Sequence, residues 1–228
     1  MSTRALYIGL MSGTSIDAVD AVLVDLASPA PYLIATHSHP IADDLRDAIL
    51  ALCSGDVESL PALGETHIAL GELFAQASLR LLGLADIAAN DVAAIGSHGQ
   101  TIWHAPNGDK PFTLQIGDAN IIAELTGITT VSDFRSRDIA AGGQGAPLAP
   151  LLHQHQFASA RASRAIINIG GISNITFLSP NTPAFAFDSG PGNVLMDGWI
   201  ARHRGRNYDE KGSWARGGMV HKLSLIHI

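Results

Sequence analysis

The chain opens on an apolar run, Ala5 to Leu10, that reads as a buried strand. A second, Ala18 to Leu26, follows almost at once, broken by Asp20 and Asp25. The Ser, Gly and Thr residues between them have the composition of a hairpin turn. A third strand is expected over Tyr32 to Ser38, after the turn at Ser28-Pro29-Ala30-Pro31. Asp43 to Leu52 reads as a short helix with acidic residues in its first turn. Val57 to Leu84 is a long amphipathic helix, with Leu60, Leu63, His67, Leu70, Phe74 and Leu81 at helical spacing. On that stripe His67 reads as a packed core histidine rather than a ligand. Val92 to Gly96 and Phe112 to Ile116 are further strands, Asp118 to Leu125 is a helix closed by Gly127, and Ile128 to Val131 re-enters as strand. Hairpins first, then strands alternating with helices, give an α/β class with a mixed sheet.

The second half repeats the opening plan. After a Gly- and Pro-rich loop and a helix over Leu148 to Ser159, Arg164 to Gly170 is a strand, Gly170-Gly171 a turn, and Ile172 to Leu178 another strand. Two such hairpins imply a duplicated domain with a cleft between its halves. The expected division is 1–130, 131–215 and an atypical tail, 216–228. His153 and His155 lie two apart on their helix and face different ways, which argues against a shared metal site.

Candidate chemistry gathers at the turns. The missing side chain at Gly13 lets an anion approach the main chain, and Asp17 and Asp20 follow directly, as suits a divalent cation held beside a phosphate. An ordinary polar hairpin is the plain alternative. Phe185-Ala186-Phe187-Asp188-Ser189-Gly190-Pro191-Gly192-Asn193 reads as a strand ending in a carboxylate, turned by Gly-Pro-Gly into a helix. Asp188 would project at a strand end, where α/β folds place chemistry, or would merely cap the turn. Gly96-Ser97-His98-Gly99-Gln100-Thr101 and the segment from Ser132 to Pro147 read as loops after strands. In the latter, Arg135 suits bidentate binding of a carboxylate, or pairs locally with Asp138.

Composition narrows the field. Hydrophobic residues make up 46% of the 228 and charged residues only 15%, enough for a sizeable core. Net charge is −7, with lysine only at 110, 211 and 222, which argues against nucleic-acid binding. The single cysteine, Cys53, fits a reducing compartment. No signal peptide or membrane-crossing run is expected, so the expectation is a cytoplasmic protein with no membrane partner.

Five segments, in order, resemble the signature segments of the anhydro-N-acetylmuramic acid kinase family. They are Met11-Ser12-Gly13-Thr14-Ser15-Ile16-Asp17, Gly96-Ser97-His98-Gly99-Gln100-Thr101, Asp133-Phe134-Arg135, Asn168-Ile169-Gly170-Gly171-Ile172-Ser173-Asn174 and Phe187-Asp188-Ser189-Gly190-Pro191-Gly192-Asn193. The resemblance spans about residues 5 to 215. It implies the actin/Hsp70/sugar-kinase fold, two ribonuclease-H-like lobes with mixed sheets closing on ATP, and a cytoplasmic role in cell-wall recycling. It also implies ATP-dependent conversion of 1,6-anhydro-N-acetylmuramic acid and water to N-acetylmuramic acid 6-phosphate. By the same resemblance Asp188 is the general base, and Gly13, Thr14, Ser15, Ile16, Asp17, Ala18, Val19 and Asp20 cradle phosphates opposite Gly170 and Gly171. Asp17 is the Mg2+ partner, and His98, Gln100, Asp118 and Arg135 bind the sugar and its lactyl carboxylate. Assembly as a homodimer is left open. The family continues well beyond this length, so an incomplete second lobe and weak ATP binding are expected. One rival is a nucleotide-binding actin/Hsp70-like module without sugar chemistry. The other is a hydrolase with Ser12 or Ser189 as nucleophile, which no nucleophile-elbow motif supports.

Overall fold

The computed structural model describes residues 5–55 and 59–219. The start of the expected Val57 helix and the tail beyond Met219 lie outside the described residues. The chain forms two compact units, Met1–Leu148 and Ala149–Ile228, so the boundary falls after the expected position at 130.

In the first unit, strands β1 (Leu6–Ser12), β2 (Ala18–Asp25) and β3 (Tyr32–Pro40) form an antiparallel meander. Helices α1 (Asp43–Ser54) and α2 (Leu60–Ala85) follow. Strand β4 (Val92–Ala105) then pairs parallel to β1 and antiparallel to β5 (Phe112–Ile116), giving the order β3-β2-β1-β4-β5. After α3 (Ala119–Thr126), the short β6 (Thr130–Val131) adds a second parallel partner to β4, and α4 (Phe134–Ala140) follows. The sheet is mixed, as the pattern predicts.

The alternating positions Leu6, Ile8 and Leu10 of β1 and Val19, Ala21 and Leu23 of β2 are buried on one face, with Leu70, Phe74, Ala77 and Leu81 of α2 in the same core. Helix α2 corrects one expectation. It is long and apolar enough to cross a membrane by length and composition. Its Leu70, Phe74, Ala77, Leu81 and Leu82 join the core instead, while Ile68, Leu79 and Leu84 are exposed. Leu60 falls off the stripe and is exposed. His67 is not a packed core residue either: its side chain is 38% exposed and works at the helix surface.

Two further expectations change. Strand β4 does not stop at Gly96 but runs through the 96–101 motif, because it gains β5 as a partner just as β1 ends. The segment after Asp133 is helix α4 rather than loop, entered with Asp133 in the left-handed region at φ 61°.

In the second unit, α5 (Pro150–Phe157) precedes a second antiparallel meander, β7 (Arg164–Ile169), β8 (Ile172–Ser179) and β9 (Thr182–Pro191), and α6 (Val194–Arg204) follows. The repeated hairpin plan is therefore present as a three-stranded meander in each unit. His153 spends its ring on the Thr176 hydroxyl at 2.9 Å. Among the described residues no cluster of three or more metal-ligating side chains occurs.

Candidate active site

The β1–β2 turn is closed by the Ile16 N–H donating to the Gly13 carbonyl at 3.2 Å. Gly13 has no atom within 4 Å of where a Cβ would stand, so its face is open. Thr14, Ser15, Asp17 and Asp20 are exposed, whereas Val19 is buried and Ala18 half-buried in β2. The Ser15 hydroxyl donates to one Asp17 carboxylate oxygen at 2.5 Å, and the Asp17 carbonyl accepts from the Ile41 N–H at 3.0 Å. Ile16 is 2% exposed and left-handed at φ 49°. A β-branched residue in that region is a true outlier, of the kind that concentrates at functional turns.

Behind this turn, Ser12 and Gln100 are each 2% exposed, and the Ser12 hydroxyl donates to Gln100 Oε1 at 2.6 Å. Gln100 Nε2 donates to the Thr101 carbonyl at 3.1 Å. Gln100 is therefore an internal brace of the turn. The register explains the inward aim. Leu10 pairs with Ser97 but Ser12 with Gln100, so β4 carries an extra residue there. That bulge is made by Gly99 at φ +73°, where a Cβ would fall 2.6 Å from the Ile116 carbonyl oxygen.

His98, in the bulge, donates from Nδ1 to the Gly99 carbonyl at 2.8 Å and accepts at Nε2 from Arg135 Nε at 2.8 Å. Burial pushes its pKa below the ordinary value; the Gly99 carbonyl raises it and the Arg135 guanidinium lowers it. Both ring nitrogens are thus engaged. Arg135 also donates from Nη1 to the Gly145 carbonyl at 2.6 Å, while the Gly145 N–H donates to Asp138 Oδ2 at 2.7 Å. Arg135 and Asp138 thus grip one glycine from its two ends.

Asp118 caps α3, accepting from the Asn120 N–H at 2.7 Å and from Asn120 Nδ2 at 2.9 Å. Burial raises its pKa, but the Asn120 bonds, His67 and the Ile121 N–H outweigh this and hold it below the usual carboxylate value. His67 Nδ1 accepts from the Gly117 N–H at 3.0 Å, and its Nε2 lies 3.8 Å from Asp118. The sequence reading missed this docking of α2 on the α3 entry. Its trace in the sequence is Gly71, whose absent Cβ would stand 2.9 Å from the Asp118 backbone.

In the second unit, the Gly170-Gly171 turn and the β9–α6 turn are bonded together. Gly192 N–H donates to the Gly171 carbonyl and Asn193 N–H to the Gly170 carbonyl, each at 2.8 Å. A Cβ on Gly192 would collide with the Gly170 carbonyl oxygen. Asp188 lies inside β9 rather than at its end, next to a bulge: Asn174 pairs with Asp188 but Ser173 with Gly190, leaving Ser189 over. Asp188 is exposed, and its carboxylate makes no hydrogen bond or ion pair among the described residues. Gly170, Gly171 and Asp188 are thus parts of one small sheet. The Ser12 and Ser189 hydroxyls donate to Gln100 and to the Ser173 carbonyl, respectively, and neither is paired with a histidine. Among the described residues neither serine has a histidine base as a hydrogen-bond partner.

Two units that each hold a three-stranded meander, with Gly13 in the first hairpin turn of one and Gly170-Gly171 in that of the other, define a duplicated α/β protein. The chain belongs to the anhydro-N-acetylmuramic acid kinase family, whose pattern it matches over residues 5–228. Curated proteins of that name are 50% identical over 214 residues in Aliivibrio fischeri, 49% over 228 in Vibrio cholerae and 52% over 224 in Coxiella burnetii. These alignments cover 94%, 100% and 97% of this chain, but only 58%, 62% and 60% of those proteins. The chain thus spans about three fifths of its relatives' length. The family match includes the 216–228 segment, expected to be atypical of the family.

Proposed function

We propose that this chain carries the phosphate turns and catalytic carboxylate of a cytoplasmic, ATP-dependent kinase. The kinase converts 1,6-anhydro-N-acetylmuramic acid and water to N-acetylmuramic acid 6-phosphate. The observation that carries the reading is the unpaired Asp188 beside the bonded Gly170-Gly171 and Gly192-Asn193 turns. In this scheme Asp188 accepts a proton from water as the water oxygen bonds to C1. The C1–O6 bond breaks, and O6 attacks the γ-phosphate, whose bond to the β–γ bridging oxygen breaks as ADP leaves. An ordinary carboxylate suffices, as in inverting glycosidases, because C1 is becoming oxocarbenium-like. Phosphoryl transfer otherwise rests on position and charge neutralisation.

Residues Gly13 to Asp20 and Gly170-Gly171 are the proposed phosphate-binding turns, Gly13 supplying an open main-chain face. Mg2+ usually binds through one or two carboxylates plus substrate phosphates, and the exposed Asp17 and Asp20 fit that donor set. When bound, the ion would neutralise phosphate charge. Arg135 is the proposed partner of the lactyl carboxylate, and Asp118 a further proposed contact of the sugar.

The test is phosphorylation of anhydro-N-acetylmuramic acid by this chain beside a family-length version, with and without the sugar. In the family-length enzyme Asp188→Asn should retain sugar binding but lose turnover. More than a tenth of wild-type activity would refute the base assignment. ATP consumption indifferent to the sugar would favour a nucleotide-driven binding module.

A further inference from the structure

We propose that His98 is a positioning residue that aims the Arg135 guanidinium, acting as a neutral Nδ1–H imidazole and not as a ligand contact. Three observations support this. Nδ1 is bonded to the Gly99 carbonyl, and a carbonyl can only accept, so Nδ1 carries the proton. Nε2 lies 2.8 Å from Arg135 Nε, which can only donate, so Nε2 carries a lone pair. Both ends of the ring are thereby occupied, leaving no nitrogen to meet a ligand. The bulge makes the arrangement: Gly99, which the left-handed φ and the nearby Ile116 carbonyl reserve for glycine, turns its own carbonyl back to the ring.

The brace reaches further than one pair. Arg135 Nη1 holds the Gly145 carbonyl, and Asp138, a turn along α4 from Arg135, holds the Gly145 N–H. A Cβ on Gly145 would press on the Ile139 side chain and the Arg135 carbonyl, so the loop lies close against α4. One imidazole ties strand β4 to helix α4, and Arg135 and Asp138 tie α4 to the glycine-rich loop. The burial-lowered pKa agrees with a ring that must stay neutral to accept. Protonation would place a hydrogen on Nε2 and aim it at a cation.

The consequence for the sugar rests on the proposed role of Arg135, but the tautomer does not. The decisive experiment is long-range proton–nitrogen NMR of the histidine-labelled chain at neutral pH, with the His98→Asn spectrum giving the assignment. His98 should show a protonated Nδ1 and a bare Nε2, the less common tautomer, and Arg135→Ala should move the Nε2 resonance. An Nε2–H ring, an imidazolium, or an Nε2 signal indifferent to Arg135→Ala would overturn the proposal. In the family-length enzyme, His98→Ala should raise KM for the anhydro sugar by about tenfold, with His98→Asn, whose amide oxygen can still accept, recovering part of it. In an Arg135→Ala background, His98→Ala should add nothing. A further independent tenfold loss there would make His98 a direct contact and refute positioning. Absence of any sugar turnover in the wild type would count against the proposed function, while the NMR result still decides the tautomer.

Discussion

Gly192→Ala tests whether the two turns of the second unit are one mechanical element. The added Cβ would fall on the Gly170 carbonyl oxygen and 2.7 Å from the Ser173 hydroxyl. Relief requires the turns to part, and two backbone bonds, Gly192 to Gly171 and Asn193 to Gly170, go with them. At about 1 kcal/mol net for each of the two hydrogen bonds, and about 1–3 kcal/mol for overpacking against backbone, the local cost is roughly 3–5 kcal/mol. Because 1.4 kcal/mol is a factor of ten, exchange of the 190–194 amides should accelerate by at least about a hundredfold. Peptide-resolved hydrogen exchange on the intact chain reads this directly, with peptides from β1–β2 in the first unit as the internal control. A change below threefold at 190–194, with the variant folded, would show that the contact is not holding the turns together. The functional prediction follows from the same geometry: if Gly170-Gly171 binds phosphate, a displaced turn should weaken ATP binding in the family-length enzyme.

Two other outcomes follow from the first unit. Gln100→Leu keeps the volume but leaves the buried Ser12 hydroxyl without its acceptor, so urea unfolding should show a loss of about 1–3 kcal/mol. Stability should also depend on pH through His98, whose pKa is lowered in the fold: its contribution is complete above the ordinary histidine value and is lost as pH falls through the folded one. Unfolding midpoints should therefore decline between pH 7 and 5, and His98→Asn should flatten that slope; an unchanged slope would refute the assignment.

Period and turn chemistry made most strands and helices readable from the chain alone. The meander β1–β3 and the repeat β7–β9 announce themselves through alternating apolar residues bounded by Gly, Ser and Pro. What escaped was set by partners distant in sequence. Local composition ends β4 at Gly96, because Gly, Ser and His are weak strand formers, yet β5 supplies the hydrogen bonds that carry it to Ala105. The same extension hid the directions of His98 and Gln100, which depend on a one-residue bulge that only the β1–β4 register reveals. Asp188 was legible as a residue near a demanding turn, but not its place inside β9, since the extra residue Ser189 shows only when β8 is alongside. His67 looked like core by spacing; its actual partners, Gly117 and Asp118, come from another element.

The β1–β2 turn is shaped from behind by two buried residues, Ile16 and Ser12. A left-handed β-branched residue costs on the order of 1–2 kcal/mol, yet Ile16 adopts that backbone at φ 49° with its side chain fully inside. Burying an isoleucine contributes about 1.5–3 kcal/mol, enough to offset the strain. The apolar side chain thus pins the one position in the turn that its backbone would otherwise avoid. Ser12, fastened to Gln100 on the other flank, fixes where the turn begins. Between these two buried anchors, Thr14 and Ser15 face outward and Gly13 keeps an open main-chain surface. A turn held this way is preorganised, so a bound anion need not supply the ordering entropy of its backbone. The cost of shaping the site is met by the core.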